Sequence, residues 1–460
     1  MTLIKSISGI RGTIGGSPGK GLTPPDIVKY ASAYGTWLKE QSTKDRFHVV
    51  LGRDARVSGE MVSSLVAAGL SAMGINVDDI GLASTPTVEM AVIDKKADGG
   101  IIITASHNPG EWNALKLLNK YGEFLSAEEG EKIVDLADSE AITYSGANSL
   151  GKVRQVESFH KQHIQKILKL PLVDTNAIRQ ANFKIVIDCV NSVGGVILPE
   201  LLTALGVNKI IQLHCNLNGI FPHDPEPIPK NLSEICRVVK DQGADLGLVV
   251  DPDVDRLAIV KEDGALFGEE YTLVAVADYV LSEKPGNTVS NLSSTRALKD
   301  ITEKYDAKYY SSPVGEVNVV SEMKKRDAVV GGEGNGGVIF PELHYGRDAL
   351  VGAALFLSHL AKTGLKTSQL RNTLPDYYIN KTKLTVDHEF DVNMLVRQLQ
   401  KKYSSCKIGL ADGIRIDMEK EWIHVRKSNT EPVFRIIAES ESEERSEVLV
   451  GEVTDMLETL

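Results

Sequence analysis

Apolar residues along this chain fall into two rhythms. Short continuous runs at residues 47–51, 99–104, 246–250 and 288–292 read as strands buried on both faces, the kind found in parallel sheets. Between them, apolar residues spaced by three and four predict helices over 59–74, 127–137, 195–205 and 232–242. Further strands are predicted at 183–188, 209–213, 308–311 and 328–330, and further helices at 270–281, 296–305, 316–326 and 348–362. Such alternation predicts α/β units. From Leu374-Pro375 onward the rhythm changes: strands at 381–386, 413–417 and 422–425 lead to a helix over 443–460, an α+β pattern. Residues 139–151, rich in Ser, Gly and Asn, read as a linker. The expected division is 1–148, 149–258, 259–372 and 373–460.

Three of the buried runs end in short polar loops. These are Thr104-Ala105-Ser106-His107-Asn108-Pro109-Gly110, Asp251-Pro252-Asp253-Val254-Asp255-Arg256 and Gly332-Glu333-Gly334-Asn335-Gly336-Gly337. In parallel sheets, ligands gather beyond the carboxyl ends of the strands, where these loops fall. Asn108-Pro109-Gly110 forces a turn, so Ser106 is expected on a tight loop and not in a helix. An ordinary turn serine is the plain alternative.

Asp251, Asp253 and Asp255 alternate. In extended backbone such residues share one face, which aims three carboxylates at one spot. Crowded like charges raise one another's pKa unless a cation neutralises them, and a hard ion such as Mg²⁺ suits an all-oxygen set. A calcium EF-hand loop needs Gly at its sixth place, where Arg256 stands. An acidic surface turn is the other alternative, against which Arg256 offers a guanidinium for a phosphate. The third loop satisfies G-x-G-x-x-G, but a β-like run and Pro341 follow where a dinucleotide site needs a helix. Glu333 and Asn335 suit a polyhydroxylated ligand instead, with a tight glycine turn as the alternative.

A fourth loop, Arg426-Lys427-Ser428-Asn429-Thr430-Glu431-Pro432 with Arg435 beyond it, makes an anion cradle or a solvated charged turn. Lys116 lies in the apolar run Ala114-Leu115-Lys116-Leu117-Leu118. Desolvation there is expected to lower its pKa and suit it to proton transfer, unless it simply snorkels.

Bulk properties narrow the field. At 460 residues, roughly three or four domains are expected. Composition, 42% hydrophobic and 25% charged, is that of a soluble globular protein. A net charge of -11 argues against nucleic-acid and anionic-membrane partners, but a local basic pocket can still take an anionic small molecule. Residues 1–16 lack a signal-peptide core, and no apolar run approaches the ~20 residues of a membrane span, so a cytoplasmic location is expected. Cys189, Cys215, Cys236 and Cys406 form no C-x-x-C and read as buried thiols.

With Gly9-Ile10-Arg11-Gly12 preceding them, these four loops in order resemble the α-D-phosphohexomutase family, which includes phosphoglucomutase/phosphomannomutase and phosphoglucosamine mutase. The resemblance implies three related α/β domains with mixed sheets and a C-terminal, mobile α+β domain around a central cleft. It implies a phosphoserine at Ser106 and one Mg²⁺ per chain, held by Asp251, Asp253, Asp255 and a Ser106 phosphate oxygen. Lys116 matches the proton-transfer lysine, and Arg11 and Arg256 match cleft arginines. Glu333 and Asn335 occupy the sugar loop, while Arg426, Ser428, Asn429, Thr430 and Arg435 occupy the loop gripping the substrate's own phosphate. Two positions depart from the family pattern G-E-x-S-G-H: Asn335 replaces Ser and Gly337 replaces His. Glu316 also stands near where some branches carry an acid/base histidine.

The implied activity is reversible interconversion of a hexose 6-phosphate and 1-phosphate through a bisphosphorylated sugar, which also serves as activator. The S-I-S-G-I-R-G start, the G-E-G-N-G-G-V loop and the P-V-G-E segment look most like phosphoglucosamine mutase, with phosphomannomutase/phosphoglucomutase as the alternative. The partner expected is a small-molecule hexose phosphate, the chain being a monomer or homodimer. A non-catalytic sugar-phosphate binding protein would not need Ser106, the aspartates and Lys116 together. A serine hydrolase would need G-x-S-x-G, and the adjacent Ser106-His107 is not expected to form a nucleophile–base pair.

Overall fold

In the computed structural model, residues 1–6, 9–139, 142–385, 392–427 and 433–458 are described. They divide into two compact units, Met1–Thr272 with Asn335–Leu370, and Leu273–Gly334 with Arg371–Leu460.

The first unit holds a seven-stranded mixed sheet in the order Leu3–Ser6, Gly9–Thr13, Trp112–Leu118, Gly99–Ile103, Phe47–Arg53, Ile75–Leu82, Val153–Gln155. Gly99–Ile103 is buried at every position, as its unbroken apolar run requires. Successive side chains on these strands serve opposite faces. Val49, Leu51, Ile101 and Ile103 join one core with Tyr30, Trp37 and Leu70, whereas Val50 and Ile102 join another with Val88 and Met90. Gly99–Ile103 runs parallel to Phe47–Arg53 and antiparallel to Trp112–Leu118, which sets Ile102 opposite Lys116. A second sheet in this unit has the order Leu257–Lys261, Leu246–Val250, Lys184–Asp188, Lys209–Leu213, parallel except for the first pair.

In the second unit, Thr288–Asn291 pairs in parallel with Tyr309–Ser312 and Val330–Glu333. An antiparallel five-stranded sheet follows, ordered Tyr378–Thr385, Val433–Ser440, Trp422–Lys427, Ile414–Asp417, Lys407–Gly409. Leu395 and Leu399 of the helix Val392–Lys402, with Leu449 and Val453 of the helix Glu443–Glu458, share its core.

Several expectations change. Of the expected linker 139–151, the described stretch 142–151 is tied down: Ser145 N–H and Gly151 N–H donate to the carbonyls of Ala72 and Ser71, both at 2.9 Å. The chain then enters the edge strand Val153–Gln155. Their small, polar composition signals turns, but backbone hydrogen bonds fasten them to the C-terminal end of the helix Gly59–Ala72. The helix Pro24–Glu40 was not anticipated, although Thr23 and Asp26 form a capping box at its start. Of the four free cysteines, Cys189 is buried and the others are half-buried. No helix among the described residues is long and apolar enough to cross a membrane.

Candidate active site

Ser106 follows the strand Gly99–Ile103 on a tight loop, 3% exposed, at φ +50°. A serine held in the left-handed region needs a surrounding structure that specifies it. Thr104 Oγ1 accepts the Ser106 N–H at 2.9 Å and donates to Asp54 Oδ2 at 2.7 Å. The rest of the loop is gathered by Arg56, which is 1% exposed. Its Nη2 donates to the carbonyls of Ser106 (2.5 Å) and Asn108 (2.6 Å), and its Nη1 to those of Pro109 (2.6 Å) and Trp112 (3.0 Å). Its Nε pairs with Asp54 Oδ2 at 3.1 Å, and the Phe221 ring centroid lies 5.0 Å from the guanidinium. Arg11 adds a bond from Nη1 to Asn108 Oδ1 at 2.7 Å.

Sequence reasoning missed Arg56. Its signal was Gly52-Arg53-Asp54-Ala55-Arg56, another polar loop leaving a buried strand.

The three aspartates converge, with ligand atoms within 4.8 Å of one another. They do so through a compact turn and not by extended alternation. Val254 sits at φ +62° with its N–H on the Asp251 carbonyl at 3.1 Å. Asp251 Oδ1 accepts the N–H groups of Asp255 (3.1 Å) and Arg256 (3.2 Å), which fastens the turn to its first carboxylate. Ser106 Oγ donates to Asp251 Oδ2 at 2.8 Å. Burial, reinforced by Asp255 and Asp253, pushes the Asp251 carboxyl well above its ordinary range. Asp253 is driven the opposite way: burial opposes its charge, but Lys116 and the Thr85 hydroxyl overcome that and hold it as carboxylate.

Asp253 Oδ1 and Asp255 Oδ1 are buried and have no hydrogen-bond partner among the described residues. Two orphaned carboxylate oxygens inside an all-oxygen set fit a hard divalent cation such as Mg²⁺.

Lys116 Nζ lies 2.6 Å from Asp253 Oδ2 and 3.7 Å from Asp255 Oδ2. Its pKa is raised, contrary to the sequence expectation. Desolvation does pull it down, but the two carboxylates more than compensate. The apolar neighbours were visible in sequence; the partners were not. Gly9, at φ +105°, lets its strand lie against the backbone of Leu115 and Lys116, since a Cβ there would meet the Leu115 carbonyl oxygen at 2.2 Å.

Arg256 Nε lies 3.8 Å from Asp255 Oδ1, and its Nη1 3.8 Å from Glu226 Oε1. Thr85 and Arg347 were not anticipated. Thr85 Oγ1 donates to Asp253 Oδ2, and Arg347 Nη2 to Asp255 Oδ2, each at 2.6 Å. Behind Arg347, Asp348 caps the helix Ala349–Thr363 and accepts from buried His163 at 2.9 Å. Although burial opposes its charge, His344 is pushed up to about 10 by Asp348 and Glu89.

His107 also needs correction. Its Nδ1 lies 3.4 Å from Ser106 Oγ, so the two side chains do meet. Burial, then Arg256 and Arg11, hold the imidazole well below its usual range, and the shorter serine contact is to Asp251.

Asn335, in the first unit, accepts the Gly337 N–H at 3.2 Å on Oδ1, while the Gly336 carbonyl accepts the Leu257 N–H at 3.0 Å. In the second unit, Glu333 ends the strand Val330–Glu333 and so is not a loop residue. Its Oε1 accepts from Asn291 Nδ2 (2.8 Å) and the Gly315 N–H (3.2 Å), and Glu316 opens the next helix. Arg426 and Arg435 stand directly opposite each other across the hairpin of Trp422–Lys427 and Val433–Ser440. Such pairs project to the same face. Arg426 Nε lies 3.3 Å from Asp412. Ser428, Asn429 and Thr430 lie outside the described residues.

Four successive segments match phosphoglucomutase/phosphomannomutase: alpha/beta/alpha domain I at residues 3–143, alpha/beta/alpha domain II at 161–264, alpha/beta/alpha domain III at 268–378, and the C-terminal domain at 383–456. The chain belongs to the phosphoglucomutase/phosphomannomutase family of phosphohexomutases. A phosphoglucomutase/phosphomannomutase of Thermococcus kodakarensis is 37% identical over 95% of both chains. A phosphoglucosamine/phosphogalactosamine mutase of Sulfurisphaera tokodaii is 32% identical over 98% of both. The crystal structure of a phosphoglucomutase/phosphomannomutase family protein from Burkholderia thailandensis superposes with a TM-score of 0.85, at 26% identity, covering 99% of this chain and 96% of that one.

Proposed function

We propose that this phosphohexomutase interconverts glucosamine 6-phosphate and glucosamine 1-phosphate, with Ser106 as the phosphoryl carrier. The observation that carries the reading is Ser106 Oγ, 2.8 Å from Asp251 within a trio of aspartates in which two buried carboxylate oxygens have no hydrogen-bond partner among the described residues. As phosphoserine, Ser106 gives its phosphoryl group to the free sugar hydroxyl, forming a bisphosphorylated sugar. It then takes back the other phosphoryl group after the intermediate turns end for end. The same bisphosphate serves as activator by phosphorylating an empty Ser106.

Asp251, Asp253, Asp255 and a Ser106 phosphate oxygen would hold one Mg²⁺, whose charge would offset that of a phosphoryl group in flight. Lys116, held in its charged form by Asp253 and Asp255, supplies the proton exchanged with the sugar oxygen. Arg11 and Arg256 face the reacting phosphate, Glu333 and Asn335 read the sugar, and Arg426, Ser428, Asn429, Thr430 and Arg435 hold the idle phosphate. In this reading the chain works as the four segments 1–148, 149–258, 259–372 and 373–460.

Glucosamine phosphate is supported by the sugar-loop sequence and by the name of the Sulfurisphaera relative. The name of the Thermococcus relative supports phosphomannomutase/phosphoglucomutase activity as the second reading. Comparing kcat/KM on glucosamine, mannose and glucose 6-phosphates decides between them, and a preference for mannose or glucose overturns the first.

Asp253→Asn should weaken Mg²⁺ binding at least ~10-fold and lower turnover with it, because it removes charge from a three-carboxylate set. Chelation should inactivate the wild type and Mg²⁺ should restore it. Full activity after rigorous metal removal would assign the aspartates a structural role.

Arg435→Ala should raise KM about 10- to 150-fold with little change in kcat, as expected when ~1.5–3 kcal/mol of uniform binding is lost. A lowered melting temperature with unchanged KM would make this arginine structural.

A further inference from the structure

Away from the aspartate trio, the second sheet of the first unit ends in another group of ligating side chains. Asp188 closes the strand Lys184–Asp188, and His214 directly follows the neighbouring parallel strand Lys209–Leu213. The register pairs Asp188 with Leu213, which puts His214 beside the aspartate. His223 arrives from the loop that follows. His214 Nδ1 lies 3.0 Å and His223 Nε2 3.2 Å from the same oxygen, Asp188 Oδ2. All three ligand atoms are within 4.8 Å of one another.

We infer that Asp188, His214 and His223 form a second metal site, suited to Zn²⁺ or a similar borderline divalent ion and separate from the Mg²⁺ site. Two imidazoles and one carboxylate are the donor set such ions favour, whereas Mg²⁺ prefers oxygen alone. The spacing also fits, because ligand atoms ~2.0–2.1 Å from a tetrahedral ion lie ~3.3 Å apart.

The remaining ring nitrogens supply an independent argument. His223 Nδ1 lies 2.8 Å from the Asp224 carbonyl oxygen, which can only accept, so Nδ1 carries a hydrogen. His214 Nε2 faces Glu234 Oε2 at 3.5 Å. Metal-bound histidines are typically oriented in this way, with the other N–H on a carbonyl or carboxylate. Asp188 draws both imidazoles above their ordinary range, so an ion binds here by displacing the protons they share with that carboxylate. Asp188 Oδ1 is itself fixed by the Val190 N–H at 3.0 Å. The histidines are 19% and 18% exposed, so an ion can enter and keep a water as fourth ligand.

An ion here would clasp the loop between His214 and His223 to the sheet edge. That loop carries Phe221 against Arg56, and Glu226 just beyond it faces Arg256.

The test is a Co²⁺ titration of the chelator-treated full chain in excess Mg²⁺. One equivalent should bind with the strong visible absorption of four-coordinate cobalt, and Zn²⁺ should displace it. His214→Ala and His223→Ala should each weaken binding by more than the ~10–100-fold caused by losing a partner behind a ligand, the effect expected of Glu234→Ala. Zn²⁺ should raise the melting temperature of the wild type but not of His223→Ala. If the alanine variants do not fold, His223→Gln and Glu234→Ala decide by the same absorption. Asp253→Asn should keep the cobalt band. No saturable band, a band that survives both histidine substitutions, or a band lost in Asp253→Asn overturns the proposal.

Discussion

Ser106→Ala is expected to cut mutase turnover by roughly 10⁴-fold or more, because removing the proposed phosphoryl carrier would remove the covalent path and not merely a contact. The neighbouring hydroxyl cannot take over. Thr104 Oγ1 already donates to Asp54 and accepts the Ser106 N–H. The fold should survive, since the substitution deletes one oxygen whose bond to Asp251 is worth about 1–3 kcal/mol. Part of that loss is recovered, because burial and the two neighbouring aspartates already push Asp251 toward its protonated form. Intact-mass analysis of the wild type should show a phosphorylated fraction that vanishes in the variant, and peptide mapping should place the group on Ser106. An active alanine variant, or a phosphate found only elsewhere, overturns the mechanism. Inactivity together with a collapsed melting transition would instead assign Ser106 a structural role.

What the sequence made legible was local. An unbroken apolar run such as 99–103 announces a buried strand, and the polar residues that follow it must lie at its carboxyl end, so Ser106 and Asp251 could be placed before any coordinates. Convergence was harder to read. The aspartates meet because Val254 takes a left-handed turn, a conformation that a β-branched residue gives no hint of. Long-range partners left no local trace. Lys116 was visibly surrounded by apolar residues, but its pKa follows Asp253, 137 positions away. Arg347 reaches Asp255 from 92 positions away, and Glu333 looked like a loop residue because glycines surround it, yet it ends a buried strand beside Asn291. Arg56 was overlooked for a different reason. Four of its contacts are to main-chain carbonyls, which every residue possesses, so apart from the polar loop around Asp54 no pattern of side chains reports them.

Arg56→Lys should therefore lower kcat by about 10- to 100-fold while leaving KM for the sugar phosphate nearly unchanged. The guanidinium spans the carbonyls of Ser106, Asn108, Pro109 and Trp112 and also pairs with Asp54. A lysine keeps the charge, but its single nitrogen cannot reach both ends of that span. The serine loop would relax, and a displacement of ~1 Å at a nucleophile costs roughly 10²-fold in rate. Arg56→Ala should be far less stable, by about 3–5 kcal/mol, since it leaves a buried aspartate without its partner. The sign of its pH dependence follows from Asp54. Burial raises that carboxyl and Arg56 opposes the rise. Without the arginine, the folded-state pKa climbs further above the unfolded value. The folded alanine variant then gains relative stability at low pH and loses it as pH rises toward that folded pKa. The melting-temperature gap between Arg56→Ala and wild type should accordingly narrow as pH is lowered toward the ordinary aspartate range. Steady-state kinetics of Arg56→Lys, measured well below its melting temperature, separate positioning from general stability. A wild-type kcat in that variant would show that the Ser106 loop holds its shape without the guanidinium.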